Sequence, residues 1–134
     1  MSTIILRTAS GPLVVLLLGF AMFMLLRGHN APGGGFIAAL VAAGAVALHV
    51  MAYPEGKLQR RLPRLARGLL GGGLVVALVS AGLAAFVSAP PLTGLWVPGS
   101  DSGIALGTPL LFDLGVCATV TGFVLLCFTE LGRR

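Results

Sequence analysis

Charge is the scarcest property of this chain. Its 134 residues include four Asp or Glu and nine Lys or Arg, so 10% are charged, against about 25% in a typical soluble domain. A globule this small buries only about two-thirds of its surface and needs a polar coat for the rest, and there is too little charge here to make one. The shortage excludes a soluble enzyme domain, a nucleic-acid binder and a disordered tail. The net charge of +5 does not argue for nucleic acid, because five of the nine positive charges sit in one short segment. Cysteine is also scarce. Cys117 and Cys127 lie in one apolar stretch. On a helix they stand about 15 Å apart along the axis, too far for a disulfide, and they read as small buried hydrophobes. No metal-ligand cluster, catalytic triad or nucleotide-binding loop is present. The run Gly33, Gly34, Gly35 lacks the lysine and the preceding strand of a phosphate loop. The pattern predicts neither an enzyme nor a cofactor.

What the chain has is apolar length. Hydrophobic residues make up 57% and the mean hydropathy is +1.01. Four runs of 20 to 23 residues stand out, at 4–26, 34–53, 68–89 and 109–131, each enough to span ~30 Å of hydrocarbon as a helix. The first run is too long for a typical signal-peptide core, and no A-x-A site follows it, so it reads as a retained helix. Pro54, Glu55 and Gly56 stop the second run, Pro90 and Pro91 close the third, and Pro109 suits the first turn of the fourth. The predicted fold is a single all-α membrane domain, a bundle of four transmembrane helices.

The rare charges set its orientation. Four spans place both termini on one side. With them goes the segment 54–67, read as a basic loop carrying Lys57, Arg60, Arg61, Arg64 and Arg67. Arg7, near the start of the first run, can snorkel to the headgroups. Together with Arg7, Arg133 and Arg134, that side holds eight of the nine positive charges, and the other holds only Arg27. The positive-inside rule makes the basic side and both termini cytoplasmic. The basic segment also has the composition of a lipid-binding patch. Outward loops are expected at 27–33 and 90–108, the longer one carrying Trp96 and Asp101.

Association of helices in lipid depends on close packing, which favours small residues at four-residue spacing. The second run offers Gly35, Ala39, Ala43 and Ala47. The third offers Gly68, Gly72, Ser80, Ala84 and Ser88, interrupted by Val76. The runs Gly33–Gly35 and Gly71–Gly73 sit in different contexts and do not form a repeat.

Ionisable groups at membrane depth are few. Asp113 lies about one turn into the fourth helix, with Cys117 and Thr121 at four-residue spacing beyond it on the same face, a polar stripe about 12 Å long. Two readings of Asp113 stand side by side. It lines a hydrated outward cavity or pairs with a neighbouring cation, or it is an early-helix carboxylate stabilised by the macrodipole. His49, four residues before Tyr53, is either a proton relay or an interfacial side chain with a local hydrogen bond. Glu130, beside Arg133 and Arg134, reads as a surface charge. A proton path across ~30 Å needs several such groups, so this chain by itself is poorly equipped to pump.

The most distinctive segment runs through Arg27, Gly28, His29, Asn30, Ala31, Pro32, Gly33, Gly34, Gly35 and Phe36. Pro32 fixes φ, Asn30 suits an Asx-turn, and the glycines allow close backbone approach, so it is at least a tight helix–helix turn. It also resembles the hallmark of the MnhB-like family, found in Mrp-type cation/proton antiporters. A second block, from Gly107, Thr108 and Pro109 through Phe112, Asp113, Leu114, Gly115 and Val116, resembles the start of that family's last helix. The two blocks occur in the family's order and the likeness covers nearly the whole chain. One departure is that Ala38 and Ala39 stand where the family usually continues with glycine, which keeps the side chains small.

The resemblance implies a non-catalytic subunit of a large hetero-oligomeric antiporter in a prokaryotic cell membrane, exchanging cytoplasmic Na+ for external H+. The expected partners are large complex I-like subunits, other small membrane subunits and membrane lipid. Its implied roles are assembly and lining part of the ion path. The same likeness fits an equivalent subunit in a membrane-bound hydrogenase or other complex I-like machine. A free-standing, homo-oligomeric small transporter is the alternative of a different class.

Overall fold

A computed structural model of the chain describes residues 4–27, 34–83, 86, 90, 94–95 and 107–132. Four helices account for nearly all of them: α1 (Ile4–Arg27), α2 (Gly34–Ala52), α3 (Lys57–Leu83) and α4 (Thr108–Leu131). No strand ladder forms among the described residues. Each helix is long and apolar enough to cross a membrane, and the fold is the expected all-α bundle of four spans.

The helix ends follow local chemistry. Pro12 lies inside α1, where its ring removes one backbone donor. Hydroxyls cluster around that site: Thr8 Oγ1 donates to the Ile4 carbonyl at 3.0 Å and the buried Ser10 Oγ to the Arg7 carbonyl at 3.0 Å. Such side chains help satisfy backbone groups in membrane helices. At the end of α2 the Tyr53 N–H donates to the His49 carbonyl, and the Gly56 N–H donates to the Tyr53 carbonyl. A methyl group on Gly56 would stand 3.0 Å from that same carbonyl oxygen, so the turn is tight. α4 opens from extended Gly107, with Pro109 in its first turn. The Gly132 N–H closes it on the Phe128 carbonyl at 3.0 Å.

The segment 54–67 is not a loop. Only residues 53–56 separate α2 from α3, and the basic stretch forms the first three turns of α3. Four-residue spacing of Leu58, Leu62 and Ala66 explains this. Leu62 and Ala66 are buried, while Lys57, Arg60, Arg61, Arg64 and Arg67 are exposed, which is an amphipathic helix rather than a connection. Pro63 withholds a donor from the carbonyl of Gln59, which lies on an exposed turn. At its other end α3 stops at Leu83, short of the expected 89.

The helices pack in the order α1, α2, α4, α3, with α4 between α2 and α3, and α1 held mainly by α2. The bundle is therefore flattened. Its largest buried cluster joins Ala43 and Val50 of α2, Leu62 and Ala66 of α3, and Leu125 of α4. It lies toward the end where α2 turns into α3. The outer faces carry Leu16, Phe20, Phe23, Leu74, Val75, Leu78 and Phe123, apolar side chains suited to lipid.

The α3–α4 seam is the tightest contact. A methyl group on Gly73 would lie 2.5 Å from the Thr119 backbone nitrogen. One on Gly115 would lie 2.6 Å from the Ala77 nitrogen, and one on Gly122 would lie 2.5 Å from the Leu70 nitrogen. Backbone touches backbone along three turns, the close packing available to helices in lipid. The ladder expected on α3 from Gly68 and Gly72 is on the wrong face. Both are exposed with open space beside them, and the packing face runs through Leu62, Ala66, Gly73, Ala77 and Ser80. On α2 the expected ladder does pack, with Gly35, Ala39 and Ala43 buried.

Candidate functional site

The two distinctive sequence blocks meet in space. Gly35, at the start of α2, lies against the backbone of Asp113 in α4, and a methyl group there would stand 2.6 Å from the Asp113 carbonyl oxygen. Gly34 is also buried, and Phe36 is exposed. The glycines thus bring α2 down onto the fourth helix where its carboxylate sits. Gly28, His29, Asn30, Pro32 and Gly33 of the same motif lie outside the described residues, as do Trp96, Asp101, Arg133 and Arg134.

Asp113, Cys117 and Thr121 follow one another down α4, all half-buried. Thr121 Oγ1 donates across the seam to the Ala39 carbonyl at 3.4 Å, a long bond that nevertheless ties the polar stripe to α2. The stripe therefore faces the α2–α4 seam. Thr119, one position off it, instead donates to the Gly115 carbonyl at 2.8 Å and packs against Gly73. Chemically this is a single carboxylate followed by a thiol and a hydroxyl. It can hold a cation or exchange a proton at one end of the bundle.

His49 is not brought to that stripe. α2 and α4 run in the same direction, with Gly35 level with Asp113, so His49 lies roughly 21 Å farther along. There it packs on Tyr53, ring centroids 5.1 Å apart and planes tilted by 40°. Tyr53 belongs to a clasp that sequence reasoning missed. Its hydroxyl donates to the Arg7 carbonyl at 3.2 Å, the Arg7 guanidinium carbon lies 5.8 Å from the Tyr53 ring centroid, and Arg7 Nε donates to the Ala52 carbonyl at 3.3 Å. A cation on the last carbonyls of α2 complements the negative end of its dipole. Arg7 thus does more than snorkel: it fastens α1 to α2. The only sequence signal was one arginine opposite one tyrosine.

A second missed element anchors the start of α4. Ser80 Oγ donates to the Thr108 carbonyl at 2.7 Å, while Leu95 and Thr108 exchange two hydrogen bonds of 3.0 Å. This fixes Asp113, little more than one turn on, against both α3 and the connection that precedes α4. Beside the site, an apolar groove of about 360 Å³ crosses α4 between Phe36 and Leu40 of α2 and Leu70 of α3. Among the described residues no three His, Cys, Asp or Glu side chains are grouped to hold a metal ion.

Four apolar spans, glycine-packed seams and one seam carboxylate define a small polytopic membrane protein. Residues 5–126 match the family model described as "Domain related to MnhB subunit of Na+/H+ antiporter", and the chain belongs to this MnhB family. Among its relatives is the B-type Na(+)/H(+) antiporter subunit of Bacillus subtilis (strain 168). The two are 33% identical, over 98% of this chain and 94% of the relative. The putative antiporter subunit mnhB2 of Staphylococcus aureus (strain Newman) is 30% identical, over 90% and 88% respectively.

Proposed function

We propose that the chain is a non-catalytic membrane subunit of a multisubunit Na+/H+ antiporter, built to pack against other subunits and to set one carboxylate beside the ion route. The observation that carries this reading is the family match over nearly the whole chain, joined to the poverty of the helices in acid. α1, α2 and α3 hold no Asp or Glu, and α4 holds Asp113 and the near-terminal Glu130. A transporter acting alone needs more ionisable groups at depth. The relatives' names speak of antiporter subunits, and they favour neither a hydrogenase module nor a free-standing homo-oligomeric transporter.

Asp113 is the residue assigned to the ion route, at the outward end of the α2–α4 seam, with Cys117 and Thr121 continuing the polar face. His49 and the Arg7–Tyr53 clasp then lie at the cytoplasmic end, the side of both termini and of the basic half of α3. In everted vesicles carrying the full set of subunits, deleting this chain abolishes Na+-dependent proton exchange, and full exchange without it would sink the proposal. Asp113→Asn lowers exchange several-fold while the complex stays intact in mild detergent. Undiminished exchange removes Asp113 from the route. A cysteine at Gln59, in a chain lacking Cys117 and Cys127, resists an impermeant thiol reagent applied outside intact cells. Labelling there inverts the orientation.

A further inference from the structure

The positive charges of α3 lie deeper than a cytoplasmic loop would place them. The seam sets the register. Gly122 abuts Ala66 and Leu70, and Gly115 abuts Gly73 and Ala77. Because α3 and α4 are antiparallel, Arg67 stands level with Phe123 and Val124, and Arg64 with Leu126 and Cys127. α4 stays apolar to Leu131 apart from Thr129 and Glu130, so Arg67 lies roughly 11 Å inside the end of its neighbour's span. Both arginines are exposed and make no ion pair with a carboxylate among the described residues. Near the helix end, Arg60 and Arg61 reach the headgroups by snorkelling. Arg64 and Arg67 point away from the bundle at a depth where a charge facing hydrocarbon is costly.

Directly beyond them on this outer side come Gly68, Gly71 and Gly72. A methyl group on any of the three would meet nothing within 4 Å. Glycine weakens a helix relative to alanine, and lipid chains gain nothing from its absence of a side chain, whereas a second helix gains close backbone approach. We propose that this outer face of α3 receives a transmembrane helix of a partner subunit, one that carries carboxylates level with Arg64 and Arg67 and small or complementary side chains level with Gly68 to Val75. A second copy of this chain does not fit, because its own α3 would oppose positive charge with positive charge. The proposal rests on the reading of the chain as a subunit of a larger antiporter and adds which face meets a partner and with what chemistry.

The test uses the complete complex in native membranes. A photo-reactive amino acid replaces Val75, which is 60% exposed on this face, and adducts are identified by mass spectrometry. The expected product is this chain joined to another subunit, through a spanning helix with carboxylates in its cytoplasmic third. Arg64→Gln with Arg67→Gln reduces that adduct at least fivefold, and Arg64→Lys with Arg67→Lys restores it. Adducts to phospholipid alone, or to a second copy of this chain, overturn the proposal, as does a protein adduct indifferent to the glutamine pair. If companion subunits co-purify but none is captured from Val75, this proposal fails while the antiporter reading stands. If the unmodified chain co-purifies with no companion, both fail.

Discussion

The two triple-glycine runs end alike and differ before the end. Gly35 closes the first and Gly73 closes the second, and each leaves no room for a methyl group against the backbone of α4. Gly71 and Gly72 face open space one and two residues away. Within one run, then, the same residue type serves opposite sides of a helix. The last glycine makes an internal seam, and its neighbours leave an outer face bare. The ends also differ in support. Gly73 sits in mid-helix, in a seam continued by Gly115 and Gly122, whereas Gly35 lies in the first turn of α2, where the backbone can give.

Substitutions can break this comparison, in descending order of effect. Gly73→Val forces a branched side chain into the Thr119 and Gly115 backbones and is expected to cost about 3 kcal/mol or more, the upper range for overpacking. It shows as loss of folded chain recovered from membranes, and normal recovery would mean the seam is looser than described. Gly35→Ala meets a single carbonyl near a helix start and is expected to cost about 1–2 kcal/mol, read as a lowered thermal midpoint in detergent. An effect as large as that at Gly73 would erase the distinction between the runs. Tyr53→Phe removes the hydrogen bond to Arg7 and leaves the ring contacts, for a loss of about 1 kcal/mol, visible as faster proteolysis near the α1 start. Gly72→Ala is expected to be neutral or to stabilise the isolated chain by up to about 1 kcal/mol, through helix propensity alone. A clear loss in the isolated chain would show that the outer face is already occupied within it.

Much of the site could be read from the residues, and the reason is local. Gly35 and Asp113 belong to recognisable blocks, and small residues at four-residue spacing on α2 do face a partner helix. The basic half of α3 was not legible as helix, because averaging hydropathy over a span treats five charges as its end. Those charges share a helix with Leu58, Leu62 and Ala66, and it is this buried edge that continues it. The packing face of α3 was illegible for a related reason. Gly68, Gly72 and Gly73 are chemically identical, so spacing alone cannot say which lies toward α4. The clasp of Arg7 on Ala52 and Tyr53 joins residues more than forty positions apart, and no periodicity announces it.

The amino-acid order alone determined that this is a membrane protein with four spans, which blocks carry its family character, and that one carboxylate stands one turn into the last helix. These follow from apolar length and from punctuation by proline, glycine and charge, all properties of short stretches of chain. Only the tertiary structure decided the order α1, α2, α4, α3, the meeting of Gly35 with Asp113, and the depth of Arg64 and Arg67 beside an apolar neighbour. Those depend on the register of one helix against another, which is set where backbones touch and is not encoded in either helix taken separately.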